Sequence, residues 1–168
     1  SRTVNKYSKL DAFPLPHISD LVQEAAKYKV FSVVDITQAY HQVPLVEDDM
    51  EKTAFEADGR LYQYKRLCSG VSNALPKFQR IMDRLFRDIP GIKIYLDDIV
   101  IGGMDVHDHN RNLEEFFNRC RKFNISLNKG KSSFGVTKLS WLGYQVEDNK
   151  IRPDPSCTQS LEEYPVLQ

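Results

Sequence analysis

The sequence predicts an α+β fold, because helical and extended segments are mixed without strict βαβ alternation. Three observations carry that expectation. A β-branched run from Val30 to Asp35 and Ile36 reads as a buried strand. Phe78, Ile81, Met82, Leu85 and Phe86 recur at helical spacing, as do Leu113, Phe116, Phe117 and Cys120. Two short apolar strands, residues 92–96 and 99–101, flank the pair Asp97-Asp98. The 168 residues suffice for one sizeable core and not two.

Pro14 and Pro16 bracket an extended lead-in, followed by a helix over residues 19–26 with Leu21, Val22 and Ala25 on one face. After the first strand a short turn or helix carries Tyr40, and residues 43–45 resume an extended path. Residues 52–57, a turn at Asp58-Gly59 and residues 61–67 read as a hairpin. The helix after Gly70 contains Pro76, which is tolerable only in the first turn. Gly102-Gly103 ends the second of the paired strands, and polar residues from Asp105 to Asn110 open the next helix. Residues 125–127, 132–134, 139–142 and 144–146 are expected to be small closing strands. The tail from Pro153 is expected to lead out of the domain.

Hydrophobic residues make up 41% and charged residues 27%, ordinary for a soluble globular domain. No apolar run approaches a membrane span and no signal peptide begins at Ser1. Ser-Arg-Thr-Val is not a natural initiation, so the chain is expected to be a piece of something longer. Cys68, Cys120 and Cys157 are odd in number and lack CxxC spacing. They fit reduced intracellular thiols better than a disulfide framework or a zinc site, with Cys120 in the core. Lysine plus arginine equals aspartate plus glutamate, 23 against 23. A net charge of zero neither announces nor excludes a nucleic-acid binder, because phosphate affinity depends on local basic stripes.

Asp97-Asp98 puts two adjacent carboxylates between apolar strand segments, where ionised groups persist only if paired or metal-bound. Alone the pair is equally an exposed turn. Asp35 changes the balance, because it too ends an apolar strand. Two strands delivering acids to one place provide the hard oxygen ligands that magnesium requires. Such a site supports two-metal phosphoryl transfer or nuclease chemistry without choosing between them.

Several segments follow one another in order: Leu10-Asp-Ala-Phe-Pro-Leu-Pro16, Phe31-Ser-Val-Val-Asp-Ile-Thr-Gln-Ala-Tyr-His-Gln42, Lys52-Thr-Ala-Phe55, Gly70-Val-Ser-Asn-Ala74 and Phe78-Gln79-Arg80. Tyr95-Leu-Asp-Asp98, Leu127-Asn128 with Lys131, and Trp141-Leu-Gly-Tyr144 complete the set. In wording and order they resemble the reverse transcriptases of gypsy-type long-terminal-repeat retrotransposons, and more distantly retroviral ones. The resemblance runs over about residues 3–155. It implies a palm, an antiparallel sheet backed by helices, with part of the fingers over residues 1–155 and the thumb absent. Residues 156–168 would begin a linker towards the thumb or connection region.

It further implies DNA synthesis on an RNA or DNA template with a primer and deoxynucleoside triphosphates. Asp35, Asp97 and Asp98 would hold two Mg²⁺ ions, with Mn²⁺ able to substitute, and the Ile36 carbonyl would add a ligand. Tyr40 matches a steric gate against the ribose 2′-OH, and Lys131 a general acid to pyrophosphate. Ser69 and Gly70 fall at the nucleotide, where Gly70 permits close backbone approach. Phe78, Gln79, Tyr95, Trp141, Leu142, Gly143 and Tyr144 fall on primer and template. The partners implied are flanking fingers, thumb and RNase H segments, with no membrane, in a cytoplasmic virus-like particle.

Three positions depart from the family pattern. Cys68-Ser69 stands where Pro-Phe is usual, Pro76 comes one residue late with Leu75 in its place, and Ser132 replaces a frequent cysteine. Two competing readings are a degenerate element piece acting as an interaction module and another two-metal palm enzyme, such as a nucleotide cyclase or an RNA-templated RNA polymerase. Tyr40 and the motif order weigh against the latter.

Overall fold

Residues 5–6, 8–11 and 13–156 are described by a computed structural model. Cys157 and nearly all of the expected linker lie outside the described residues. The central sheet has order β4-β5-β1-β6, built from β1 (Val30–Ile36), β4 (Ile92–Tyr95), β5 (Asp98–Gly103) and β6 (Leu127–Val136). Every neighbouring pair in it is antiparallel. β2 (Phe55–Ala57) and β3 (Arg60–Tyr62) form a small hairpin. β7 (Leu139–Trp141), β8 (Tyr144–Glu147) and β9 (Lys150–Pro153) form a three-stranded meander. The helices are α1 (Ile18–Ala25), α2 (Glu47–Met50), α3 (Ala74–Phe86) and α4 (Val106–Lys122). The α+β architecture is the one expected.

The two inner strands of the central sheet, β1 and β5, are covered on both faces, which is why they are largely apolar, while the edge strand β6 is mostly exposed. Side chains alternate faces along a strand. Val34, Ile36, Ile99 and Ile101 meet Phe78, Met82 and Phe86 of α3 and Phe116 and Cys120 of α4. Phe31 and Val100 meet Val22 and Ala25 of α1, together with Leu139, Trp141 and Val146 of the meander. Cys120 is core, and burial pushes its thiol up to about 12.

Local sequence explains the helix starts. Pro76 lies in the first turn of α3, where its missing N–H costs nothing. Asp105 caps α4, its carboxylate accepting from the Asp108 N–H at 2.8 Å, while Asp108 accepts from the Met104 N–H at 2.9 Å. Asn73 ties the lead-in to α3: its Oδ1 accepts from the Asp11 N–H and its Nδ2 donates to the Lys9 carbonyl.

Four local expectations need correction. The hairpin expected over residues 52–67 is shorter, because Glu51–Thr53 is a 3-10 turn and residues 63–65 carry no strand. Thr53 Oγ1 accepts from the Tyr64 N–H at 2.9 Å, so a side chain replaces the backbone ladder there. The acidic run Glu47–Met50 forms a short helix that was not expected, with its acids at the favourable N-terminus. Residues 127–136 form one continuous strand rather than two pieces. Beyond Val146 the chain turns back at Asp148-Asn149, both in left-handed backbone, and Lys150–Pro153 pairs with β8. Pro153 ends that edge strand, where a missing N–H is tolerated.

One buried polar contact joins β1 to α4. Ser32 Oγ and His109 Nε2 are hydrogen-bonded at 2.9 Å, and Ser32 Oγ accepts from the Gly135 N–H at 3.2 Å. Both side chains are buried. Ser32→Ala would leave a ring nitrogen and an amide without partners, so a loss of about 1–3 kcal/mol is expected in urea denaturation.

Candidate active site

The register of β1 against β5 sets Asp35 directly opposite Asp98. Opposed residues share a face, here the face on which Phe31 and Val100 pack. Burial falls towards this end of the strands: Asp35 and Asp98 are half-buried and Asp97 is exposed. Asp97 sits at the tip of the β4–β5 hairpin beside Leu96, whose φ of 56° is left-handed. That conformation costs about 1–2 kcal/mol for a residue with a Cβ. Gln79 of α3 holds it: its Oε1 accepts from the Leu96 N–H at 3.0 Å and its Nε2 donates to the Ile94 carbonyl at 3.2 Å.

Desolvation pushes the Asp97 and Asp98 carboxyls above the usual carboxylate range, and the Asp35 charge pushes both further. The Asp97 charge also acts on Asp98. None of the ion pairs among the described residues involves any of the three acids. Among the described residues no three carboxylate, imidazole or thiol groups are gathered closely enough to enclose an ion unaided. Magnesium is commonly held by one or two carboxylates with substrate phosphates completing the shell, so the donor chemistry of this site fits it.

A cleft of about 340 Å³ opens beside the acids, lined by Asp35, Ile36, Tyr40, Asp97, Asn128 and Lys131 among others. The Ile36 side chain is buried in the core, so its backbone is what it offers the cleft. Tyr40 rides on the 3-10 turn Ala39–Gln42. Gln42 anchors that turn, donating to the Ser126 carbonyl at 2.8 Å and accepting from the Ser126 N–H at 2.7 Å. The Tyr40 ring meets Phe78 edge-on at 5.4 Å. Burial raises the Tyr40 phenol and the Asp97 charge raises it further.

Six of the residues singled out in the sequence therefore converge: Asp35, Ile36, Tyr40, Asp97, Asp98 and Lys131. The others lie elsewhere. Ser69 and Gly70 are exposed and do not line the cleft, and the Gly70 carbonyl accepts from Asn5 Nδ2 at 2.9 Å. Cys68, just before them, lines a separate apolar groove of about 770 Å³. Phe78 is fully buried beneath Tyr40, and the Gln79 amide is occupied by the hairpin turn. Tyr95 stands opposite Asp98 on β4 and packs into the second core cluster. Trp141 is buried, Leu142 and Gly143 form the left-handed turn between β7 and β8, and Tyr144 is exposed. Asn128 was not singled out as a site residue; only the register, which sets it opposite Asp35, reveals its place.

Residues 1–146 match the family described as Reverse transcriptase (RNA-dependent DNA polymerase). The chain belongs to the reverse transcriptase family. It is 33% identical, over 98% of its length, to the Retrovirus-related Pol polyprotein from transposon 412 of Drosophila melanogaster, and covers 14% of that protein. To the corresponding polyprotein from transposon gypsy of the same fly it is 31% identical, covering 16% of it. The chain thus spans about a sixth or less of these curated relatives. The structure titled "Structure of the foamy viral protease-reverse transcriptase dRH in complex with ds DNA" superposes with a TM-score of 0.91 at 23% identity. That match covers 99% of this chain and 29% of the other, and it establishes the reverse-transcriptase fold. No helix among the described residues is long and apolar enough to cross a membrane.

Proposed function

We propose that this chain is the palm, with part of the fingers, of an enzyme that synthesises DNA on an RNA or DNA template. The observation that carries the proposal is Asp35 opposite Asp98 on one face, beside a cleft that Asp35 lines together with Asp97, Tyr40 and Lys131. In the reaction a primer 3′-hydroxyl attacks the α-phosphate of a deoxynucleoside triphosphate in line, and pyrophosphate leaves.

Asp35, Asp97 and Asp98 would hold Mg²⁺, or Mn²⁺ in its place. Two such ions, when bound, favour ionisation of the attacking hydroxyl and offset charge on the leaving pyrophosphate. The raised carboxyls of Asp97 and Asp98 describe acids poised for a cation, since neutralising their mutual repulsion favours the ionised forms. Lys131, which also lines the cleft, donates a proton to the leaving pyrophosphate. Tyr40, wedged by Phe78, occupies the space a 2′-hydroxyl would need. Tyr40→Ala is expected to reduce discrimination against ribonucleotides about tenfold to hundredfold in competitive incorporation, because a pocket rejects an extra hydroxyl only to that extent.

The test is primer extension on RNA and DNA templates by this chain joined to the flanking fingers, thumb and RNase H segments of its relatives' polyproteins. Incorporation dependent on Mg²⁺ and on both template types supports the reading. Normal folding and template binding without incorporation would instead favour a non-catalytic interaction module. The 168 residues by themselves are expected to bind template-primer weakly and to extend it poorly, because their charge balances to zero and phosphate binding needs a surplus of basic contacts.

A further inference from the structure

The route of β6 past the site is irregular. Asp35 pairs with Asn128, whereas Val33 pairs with Ser133. Between these pairs four residues of β6, Lys129 to Ser132, stand against the single residue Val34 of β1, three more than a regular ladder allows. Such excursions re-aim side chains near functional sites. This one carries Lys129, Gly130 and Lys131, and Lys131 lines the cleft with Asp35, Asp97 and Asn128.

A single hydroxyl closes the excursion at its base. Ser132 Oγ donates to the Asn128 carbonyl at 2.7 Å and accepts from the Asp35 N–H at 3.3 Å. Both groups belong to the pair at which β6 leaves its regular register on β1. There is room around the excursion: a Cβ added at Gly130 would meet only Asn128 Oδ1, at 3.6 Å. Lys129 and Lys131 are exposed.

We propose that Ser132 is a positioning residue, its hydroxyl fixing the Asp35 backbone and the Lys131 excursion in one geometry. This rests on the polymerase reading above. Reacting groups misplaced by an ångström lose up to about a hundredfold in rate, so a clasp that sets two of them at once affects turnover without touching substrate. Thr keeps the hydroxyl, whereas Ala removes both of its hydrogen bonds.

Wild type, Ser132→Ala, Ser132→Thr and Asp97→Asn would be compared in the chain with its flanking segments restored. Amide hydrogen exchange at Asp35, single-turnover incorporation and primer-template affinity would be measured. In Ser132→Ala, exchange at the Asp35 amide is expected to rise about tenfold and incorporation to slow about tenfold, with primer-template affinity unchanged. Ser132→Thr is expected to restore both. Unchanged Asp35 exchange in Ser132→Ala overturns the proposal, as does slow incorporation that Thr does not restore or a wild-type rate despite faster exchange. If wild type and Asp97→Asn incorporate equally, it is the polymerase reading that fails, while the exchange measurement still decides whether Ser132 clasps Asp35.

Discussion

Asp97→Asn is expected to lower deoxynucleotide incorporation by about a hundredfold to a thousandfold, the scale on which removal of a group stabilising transition-state charge is felt. It is expected to do so while raising stability in metal-free buffer. The two effects have one cause. Asp97 is held above the usual carboxylate range by desolvation and by Asp35, and Asp98 by desolvation, Asp35 and Asp97. Between the ordinary carboxylate value and these raised values the folded chain binds more protons than the unfolded chain. Stability of the wild type in EDTA therefore falls as pH rises through that window and stays lower above it. Asn carries no charge, so the variant escapes its own share of that loss and relieves part of the load on Asp98. Thermal melts from pH 4 to 8 would show the variant melting above wild type at neutral pH. Added Mg²⁺ is expected to raise the wild-type midpoint by mass action and the variant's much less. A variant that melts like wild type with and without Mg²⁺, or that incorporates normally, would remove Asp97 from the site.

Much of this was legible in the sequence, for physical reasons specific to each element. β1 and the β4–β5 hairpin were readable because a carboxylate at the end of an apolar strand has few tolerable settings. α3 and α4 were readable because their buried faces repeat at helical spacing. What sequence cannot show is register. Asp35 opposite Asp98, and Asn128 opposite Asp35, are consequences of pairing between segments far apart in the chain. The excursion of β6 hid for the same reason: Lys131 and Ser132 look like ordinary strand polar residues until the ladder skips past them. β9 was missed because Pro153 and the polar residues around it suppress a strand signal, although an edge strand tolerates both.

Gln79 shows how one residue can belong to a motif and still do something its motif does not announce. It lies in the segment whose resemblance suggested template handling, yet its amide is fully engaged inside the protein. It links α3 to the left-handed Leu96 turn that presents Asp97. Gln79→Leu would remove the Leu96 partner and slacken the turn, which is expected to slow incorporation without weakening template affinity, measured side by side. The same logic joins Gln79, Gln42 and Ser132: each is a polar side chain that completes a backbone hydrogen bond where the site interrupts regular structure.

The largest expected loss of stability comes from one methyl group, at Gly103. Gly102-Gly103 reads in sequence as a strand terminator, but both residues lie within β5 and are buried. A Cβ at Gly103 would stand 2.2 Å from the His109 backbone nitrogen and 2.4 Å from its Cα. Those atoms belong to the body of α4 and cannot rotate away as a side chain would. The helix must lift from the sheet or the strand must bend. Either movement pulls at two contacts that this close approach permits, Asn112 Nδ2 donating to the Gly102 carbonyl at 2.9 Å and the Ser32–His109 bond. Overpacking a close-packed core costs about 1–3 kcal/mol, and more where backbone must move. Gly103→Ala is therefore expected to cost about 3 kcal/mol or more in urea denaturation, enough to unfold a marginal domain. Gly130→Ala is the matched control: its Cβ would meet only a side-chain oxygen at 3.6 Å, so a change within about 0.5 kcal/mol is expected. Equal midpoints for the two variants would show that α4 does not rest on β5 as closely as this geometry requires. A large loss confined to Gly103→Ala would fix the helix as the backing that keeps β5, and hence Asp98, in register with Asp35.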